Sequence, residues 1–246
     1  MNQSDYSYGS LPNDIALKIA YSLEVPDLSS LSCCSRVWRE ICGSDCLWES
    51  LVKERWSLLY ETVKDPNFKD WRGFYVKQHE EKKAQAASVV NVVEHCSQSE
   101  SLEILDYLQA IECLKTMHFG FKDVQMLLLR PRLNVLLNLI GLNYCLNILQ
   151  VPHLSLQAVH IVEALRNSKI ADRQVFVQWW KPGRWFYGFR IRNDSFRCVS
   201  LEDLAVEKDE EVLAVLEPET THELLTTVQI SVVNSTSNLQ ASQSSP

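Results

Sequence analysis

The sequence lacks the long apolar runs and the excess positive charge that would indicate a membrane or a nucleic acid as partner. Its most apolar stretch, residues 133–151, is interrupted by Gly141 and by four asparagines. A bilayer span needs about 20 consecutive apolar residues, so this stretch predicts buried helices. The 246-residue chain carries a formal net charge of −7, which argues against polyanions as ligands. No basic segment followed by an apolar one opens the chain, so no secretory signal is expected.

Catalytic motifs and sequence repeats are also missing. The seven glycines form no phosphate-binding loop, and neither G-x-S-x-G nor H-E-x-x-H occurs. The six histidines are scattered along the chain. There is no kelch, WD or leucine-rich repeat. We therefore expect a protein without enzymatic activity and without a cofactor.

Cysteine is present, but not in the spacing of a metal site. None of the eight cysteines forms a C-x-x-C pair, and no histidine stands at ligand spacing from a cysteine pair. Four of them fall within residues 33–46, where small apolar side chains suit helix packing. The prediction is free, mostly buried thiols in a reducing compartment, with no bound metal.

The most informative segment is residues 11–56, which predicts four short helices. Leu11-Pro12 opens it, and apolar residues then follow at steps of four along one helix face. Pro26 suits the first turn of the second helix, where its missing N–H costs nothing. Helices this short cannot bury so many large apolar side chains among themselves. The segment therefore predicts a surface that binds a partner.

This segment resembles the F-box, through its Leu-Pro opening, its middle DLSSLSCCSRVWRE and its closing D-x-L-W at residues 45–48. The resemblance implies docking onto a Skp-type adaptor, which joins F-box proteins to a cullin–RING ubiquitin ligase. The rest of such a protein usually selects the substrate. The residues expected to bind the adaptor are Leu11, Pro12, Ile15, Ile19, Leu28, Leu31, Val37, Trp38, Leu47 and Trp48. The alternative is a helical hairpin that packs only on its own domain.

Residues 57–168 predict a helical region. Trp71, Phe74 and Tyr75 lie at helical spacing and indicate a helix that flanks the F-box-like segment. Within residues 133–151 the asparagines fall on opposite helix faces, which predicts a break near Gly141. A further helix is expected from about Ser155 to Asn167.

Period-two alternation begins near Arg173 and predicts a small antiparallel sheet over residues 169–233. Turns are expected at residues 181–183 and 193–195, between strands that carry alternating aromatic residues. Trp185, Tyr187, Phe189 and Ile191 would then share the buried face. Residues 211–217 and 224–233 also predict strands. Polar residues from 234 to 246 indicate a disordered tail.

Aromatic and basic residues alternate in this predicted sheet and form its candidate binding site. Guanidinium groups beside aromatic rings suit an acidic or phosphorylated peptide, and such rings also stack on nucleic-acid bases. Alternatively, the aromatic residues simply form the buried face of the sheet. The residues proposed to bind a substrate are Trp180, Arg184, Phe186, Arg190 and Arg192.

Together these patterns predict an α+β protein with an F-box module at residues 1–56, a helical region at 57–168 and a small C-terminal antiparallel sheet. By resemblance, the chain recruits substrates to a Skp–cullin–F-box ubiquitin ligase and so promotes their degradation. The alternative is a regulatory module that binds a partner, such as a transcription factor, outside a ligase. We expect a location in the nucleus, the cytoplasm or both, and no nucleic-acid or membrane partner.

Overall fold

The computed structural model describes residues 12–63, 68–97, 100–148, 158–206, 210–216 and 227–232. The chain divides into two compact units, Met1–Glu81 and Lys82–Pro246. Helices form the described part of the first unit, whereas the second combines helices with an antiparallel sheet. The predicted α+β class is thus confirmed. The predicted tail at residues 234–246 lies outside the described residues.

The first unit consists of short helices, followed by a long one that continues into the second unit. Their bounds are α1 (Asn13–Tyr21), α2 (Val25–Cys34), α3 (Arg36–Cys42), α4 (Asp45–Arg55), α5 (Ser57–Val63) and α6 (Trp71–Cys96). Pro26 lies in the first turn of α2, and Trp71 begins α6, both as predicted. Ser35 caps α3, because its side-chain oxygen accepts the N–H of Trp38 at 3.2 Å.

Two apolar clusters stabilise this unit. The smaller one contains Ala20, Leu28, Cys42 and Leu47. The larger one is aromatic and contains Trp48, Val52, Trp56, Tyr60, Trp71 and Tyr75. Since α5 and the start of α6 supply half of the aromatic cluster, they share a core with α4. The predicted module boundary at residue 56 falls inside this core.

The second unit begins within α6 and encloses the larger core of the chain. Its remaining elements are β1 (Ser101–Glu103), α7 (Ile104–Thr116), α8 (Phe121–Leu127), α9 (Val135–Ile148), α10 (Ala158–Asn167), β2 (Gln174–Phe186), β3 (Phe189–Ser200), α11 (Leu201–Ala205), α12 (Glu210–Leu216) and β4 (Thr227–Val232). The strands are antiparallel and lie in the order β1-β4-β2-β3. The helices and the inner face of the sheet contribute to one apolar cluster.

Helix α9 lies at the centre of this core and is continuous, so the predicted break at Gly141 is wrong. A Cβ atom at Gly141 would lie 3.1 Å from Leu128 Cβ and 3.2 Å from Val124 Cγ1. The glycine therefore allows the α8 segment to approach α9 closely instead of ending the helix. The buried Asn138 donates to the carbonyl of Leu128 at 2.7 Å, which satisfies a polar side chain in the apolar interior.

The β2–β3 hairpin turns at a position that the sequence pattern did not indicate. Phe186 pairs with Phe189, and the two residues between them, Tyr187 and Gly188, have φ values of 45° and 83°. Positive φ at both central residues is typical of a tight type I′ hairpin turn. The turn was missed because tyrosine rarely adopts positive φ. The turns predicted at residues 181–183 and 193–195 are wrong, since both segments belong to paired strands.

Two further strand predictions are corrected by the structure. Residues 210–216 form the helix α12, because Val212, Val215 and Leu216 lie at helical spacing and are buried. Tyr187 and Phe189 do not lie in the core, since the hairpin turn places them at its exposed tip. The alternation that starts at Val175 is confirmed, because Val175, Val177 and Trp179 are fully buried.

All eight cysteines are free thiols, but most of them are not buried, in contrast to the prediction. Only Cys42 and Cys145 are buried, Cys113 is half-buried and the other five are exposed. Over the described ranges, histidine, cysteine and acidic residues form no group of three that could hold a metal ion. No described helix is long and apolar enough to cross a membrane.

Candidate interaction surfaces

Helix α1 buries its alanines and exposes its isoleucines. Ala16 and Ala20 are buried against the rest of the first unit, whereas Ile15 is 43% exposed and Ile19 is 39% exposed. An amphipathic helix normally buries its largest apolar side chains. The sequence placed the two isoleucines on one face, and the structure shows that this face is directed to solvent.

Helix α3 adds a further apolar residue to the surface of this unit. Val37 is 57% exposed and lies in the first turn of α3, which contacts α1. We use the name apolar surface for Ile15, Ile19 and Val37. Leu31 and Trp38 are half-buried, and Pro12 at the start of α1 is exposed.

Three residues that were predicted to bind the adaptor lie instead in the core of the unit. Leu28, Leu47 and Trp48 are buried, so they support the helices and offer no surface to a partner in this structure. The indole N–H of Trp48 donates to the carbonyl of Cys42 at 2.7 Å, which ties α4 to the end of α3. Leu11 lies outside the described residues.

A network of aromatic and charged side chains connects α4 to α6. The guanidinium of Arg55 donates to the hydroxyl of Tyr75 at 2.6 Å and lies 4.6 Å from the ring centre of Trp56. The Asp45 carboxylate accepts the N–H of Trp71 at 3.2 Å, which connects α4 to the start of α6. These contacts predict that the position of α4 depends on α6.

Two tyrosines of the first unit were not among the predicted site residues. The hydroxyl of Tyr60 donates to Glu49 at 2.7 Å, and this bond, more than burial, raises the pKa of Tyr60. Tyr21 is 41% exposed at the end of α1. Its position two residues after Ile19 does not match the four-residue step used to find the isoleucines, so that signal could not find it.

The second candidate surface is the distal part of the β2–β3 hairpin. Trp180 is half-buried, whereas the side chains of Arg184, Phe186, Arg190 and Arg192 lie outside the part that the structure describes. Their backbone pairing is described: Arg190 lies opposite Trp185, and Arg192 lies opposite Pro182. A register irregularity between Pro182 and Trp185 interrupts the ladder, at a position that suits a residue without an N–H.

The sheet also carries aromatic contacts on the face opposite the core. Phe176 and Phe196 stack with their ring centres 5.6 Å apart, and Phe196 is exposed.

On the core side of β3, Arg197 forms an ion pair with Glu211 of α12 at 3.3 Å. Because both partners are about half exposed, this pair contributes little to stability.

Comparison with known families gives one match. The family model described as F-box-like matches residues 8–54, which include α1, α2 and α3 and nearly all of α4. No curated protein and no solved structure matches the chain significantly.

Proposed function

We propose that this F-box protein is the substrate-recruiting subunit of a Skp–cullin–F-box ubiquitin ligase, and that its F-box-like domain docks onto a Skp-type adaptor. F-box domains generally bind such adaptors. The observation that supports the proposal here is the outward orientation of Ile15 and Ile19 on α1. An adaptor that docks on α1 would bury these exposed side chains.

The size of the apolar surface is consistent with a docking role. Complete burial of one large aliphatic side chain contributes about 1.5–3 kcal/mol. Ile15, Ile19 and Val37 each have roughly half of their surface left to bury. Covering all three would therefore contribute on the order of 3 kcal/mol, with further gain from any neighbouring residues that the partner reaches.

In this proposal the second unit selects the substrate, and the chain itself carries out no chemistry. The second unit has its own apolar core and its own exposed surface on the β2–β3 hairpin. Ubiquitin transfer would be performed by the cullin–RING part of the complex. The proposed site of action is the nucleus, the cytoplasm or both.

The proposal is tested by placing charges on the apolar surface. Ile15→Asp with Ile19→Asp should reduce recovery of the Skp-type adaptor in a pull-down at least about tenfold, because each aspartate would be desolvated on docking. Val37→Asp alone should have a smaller effect in the same direction. Val76→Asp is the matched control, since Val76 is 50% exposed on α6 of the same unit and lies outside the apolar surface.

The ligase role needs a second readout. Affinity purification of the full chain with inhibitors of the proteasome and of neddylation, followed by mass spectrometry, should recover the adaptor, a cullin and stabilised substrates. Full adaptor recovery with the double aspartate variant, once its folding is verified by circular dichroism, would show that the apolar surface is not the docking site. Recovery of the adaptor without a cullin would favour a role outside a ligase.

A further inference from the structure

The β2–β3 hairpin has a distal part that differs from the rest of the sheet. Within the described residues, β4 pairs with β2 from Val175 to Trp180, whereas β3 continues to pair with β2 as far as Phe186. We use the name basic arm for residues 181–193, which comprise the end of β2, the turn and the start of β3. Among the described strands, the two strands of this arm pair only with each other.

The basic arm has an unusual composition for this chain. It contains Lys181, Arg184, Arg190 and Arg192 and no aspartate or glutamate, although the whole chain has a net charge of −7. It also contains four aromatic residues. At its tip, Tyr187 is 89% exposed and Phe189 is 79% exposed. A two-stranded ribbon is marginally stable by itself in water, so large exposed aromatic residues on it indicate a surface that is completed by a partner.

The arm also offers backbone hydrogen-bonding groups. Strand β3 is the last strand in the described sheet order, so its outer edge pairs with no described strand. Along twelve residues, Phe189–Ser200, every second N–H and C=O of this strand points away from β2. A long edge of this kind readily accepts another extended chain. The arginines that discourage pairing with a basic or neutral chain attract an acidic one.

We propose that the β3 edge along the basic arm binds an acidic, extended peptide of a protein partner, which adds to the sheet as a strand beside β3. Main-chain hydrogen bonds would supply affinity, and the positive charge of the arm would select acidic sequences. The binding step does not depend on the ligase role. Only the identification of the partner as a ligase substrate or its regulator rests on the proposed function.

A peptide fits these observations better than a nucleic acid does. The β3 edge presents alternating donors and acceptors at the spacing of a peptide strand, and a sugar–phosphate backbone has no N–H groups to match them. The arm has four basic residues and no acidic ones, whereas the chain as a whole is acidic and would repel a long polyanion.

The test measures binding of defined peptides to the full chain, purified with its adaptor if necessary, by fluorescence anisotropy at low salt. The probe is a ten-residue peptide of alternating glutamate and valine, and the control replaces glutamate by lysine. Two further peptides carry N-methyl groups on all glutamates or on all valines. Because alternate residues of a strand direct their N–H groups to opposite edges, each methylated peptide can pair through one edge only.

Strand addition predicts that the acidic peptide binds and the lysine peptide does not, and that only one of the two methylated peptides retains binding. Arg190→Glu with Arg192→Glu should weaken binding by about tenfold or more, since two attractive charges become repulsive. Arg130→Glu with Arg132→Glu is the matched control, because these two arginines have the same spacing in a loop of the same unit and are exposed.

Three results would overturn the inference. Equal binding, or equal loss of binding, with both methylated peptides would exclude pairing through one edge. If Arg130→Glu with Arg132→Glu weakened peptide binding as much as Arg190→Glu with Arg192→Glu does, the binding would depend on overall charge and not on the arm. Tighter binding of a uridine decanucleotide, abolished by Arg190→Glu with Arg192→Glu, would assign the arm to nucleic acid. None of these results alters adaptor recovery through Ile15 and Ile19, so failure here is distinguishable from failure of the proposed function.

Discussion

Helices α1 and α9 use their apolar residues in opposite ways. In α1 the alanines are buried and the isoleucines are half exposed. In α9 every residue from Val135 to Leu146 is buried, including Asn138 and Asn143, whose side-chain amides donate to the carbonyl of Leu128 and the hydroxyl of Tyr107. The comparison shows that apolar content alone does not place a helix in the core. A helix lies in the core when the surrounding elements cover its apolar residues.

The largest difference between the two helices is expected on truncation of an aliphatic side chain. Leu136→Ala in α9 should reduce the free energy of unfolding of the second unit by about 3–4 kcal/mol, because Leu136 is fully buried and the truncation leaves a cavity. Ile15→Ala in α1 should cost about 1 kcal/mol or less, since the side chain is half exposed and alanine favours the helix. Hydrogen exchange of the slowest amides in each unit measures both values. Similar losses in the two variants would contradict the contrast between the helices.

A smaller effect is expected at the closest approach to α9. Gly141→Ala places a methyl group within 3.1 Å of Leu128 and 3.2 Å of Val124, so overpacking should destabilise the second unit by about 1–2 kcal/mol after the gain in helix propensity. Thermal unfolding measures the change. An increase in stability of about 1 kcal/mol, as alanine gives in an open helix, would show that α8 does not press against this glycine.

The smallest effect concerns helix capping, which both units use. Ser35 caps α3 and Ser200 caps α11, each by accepting a backbone N–H within its own unit. Alanine at either position should cost about 1 kcal/mol, because one N–H of the first turn loses its partner. Hydrogen exchange should show Ser35→Ala loosening the first unit and Ser200→Ala loosening the second. If Ser35→Ala left the exchange of α3 unchanged, the cap would contribute nothing measurable.

The sequence predicted the helices of the first unit, but it did not show which apolar residues of these helices are buried. The four-residue steps of Ile15 and Ile19 identified one face of α1, and the assignment of that face to a partner agrees with its exposure. The same reasoning included Leu28, Leu47 and Trp48 among the adaptor-binding residues, and all three are buried within the unit. Helical spacing shows which residues share a face, but burial depends on the other helices, including α6, which lies outside the F-box-like match.

The sheet was predicted as an element but not in its details. Alternation identified the buried residues of β2 from Val175 onward, because strand period and burial coincide there. Past Trp180 large aromatic residues occur at both odd and even positions, so alternation did not identify the buried face reliably. The turn at Tyr187 and Gly188 has only one glycine as a signal, whereas Pro182-Gly183 offered a stronger and misleading one.

The two buried cysteines give each half of the molecule its own chemical reporter. Cys42 lies in α3 of the first unit and Cys145 in α9 of the second, and burial raises the pKa of both thiols. Only the thiolate reacts with alkylating reagents, so both cysteines are protected while their surroundings stay closed. The exposed cysteines need no opening to react, so they act as an internal standard. A pulse of iodoacetamide, followed by peptide mass spectrometry, therefore measures the labelling rates of Cys42 and Cys145. These rates report how fast each unit opens, and no residue has to be substituted.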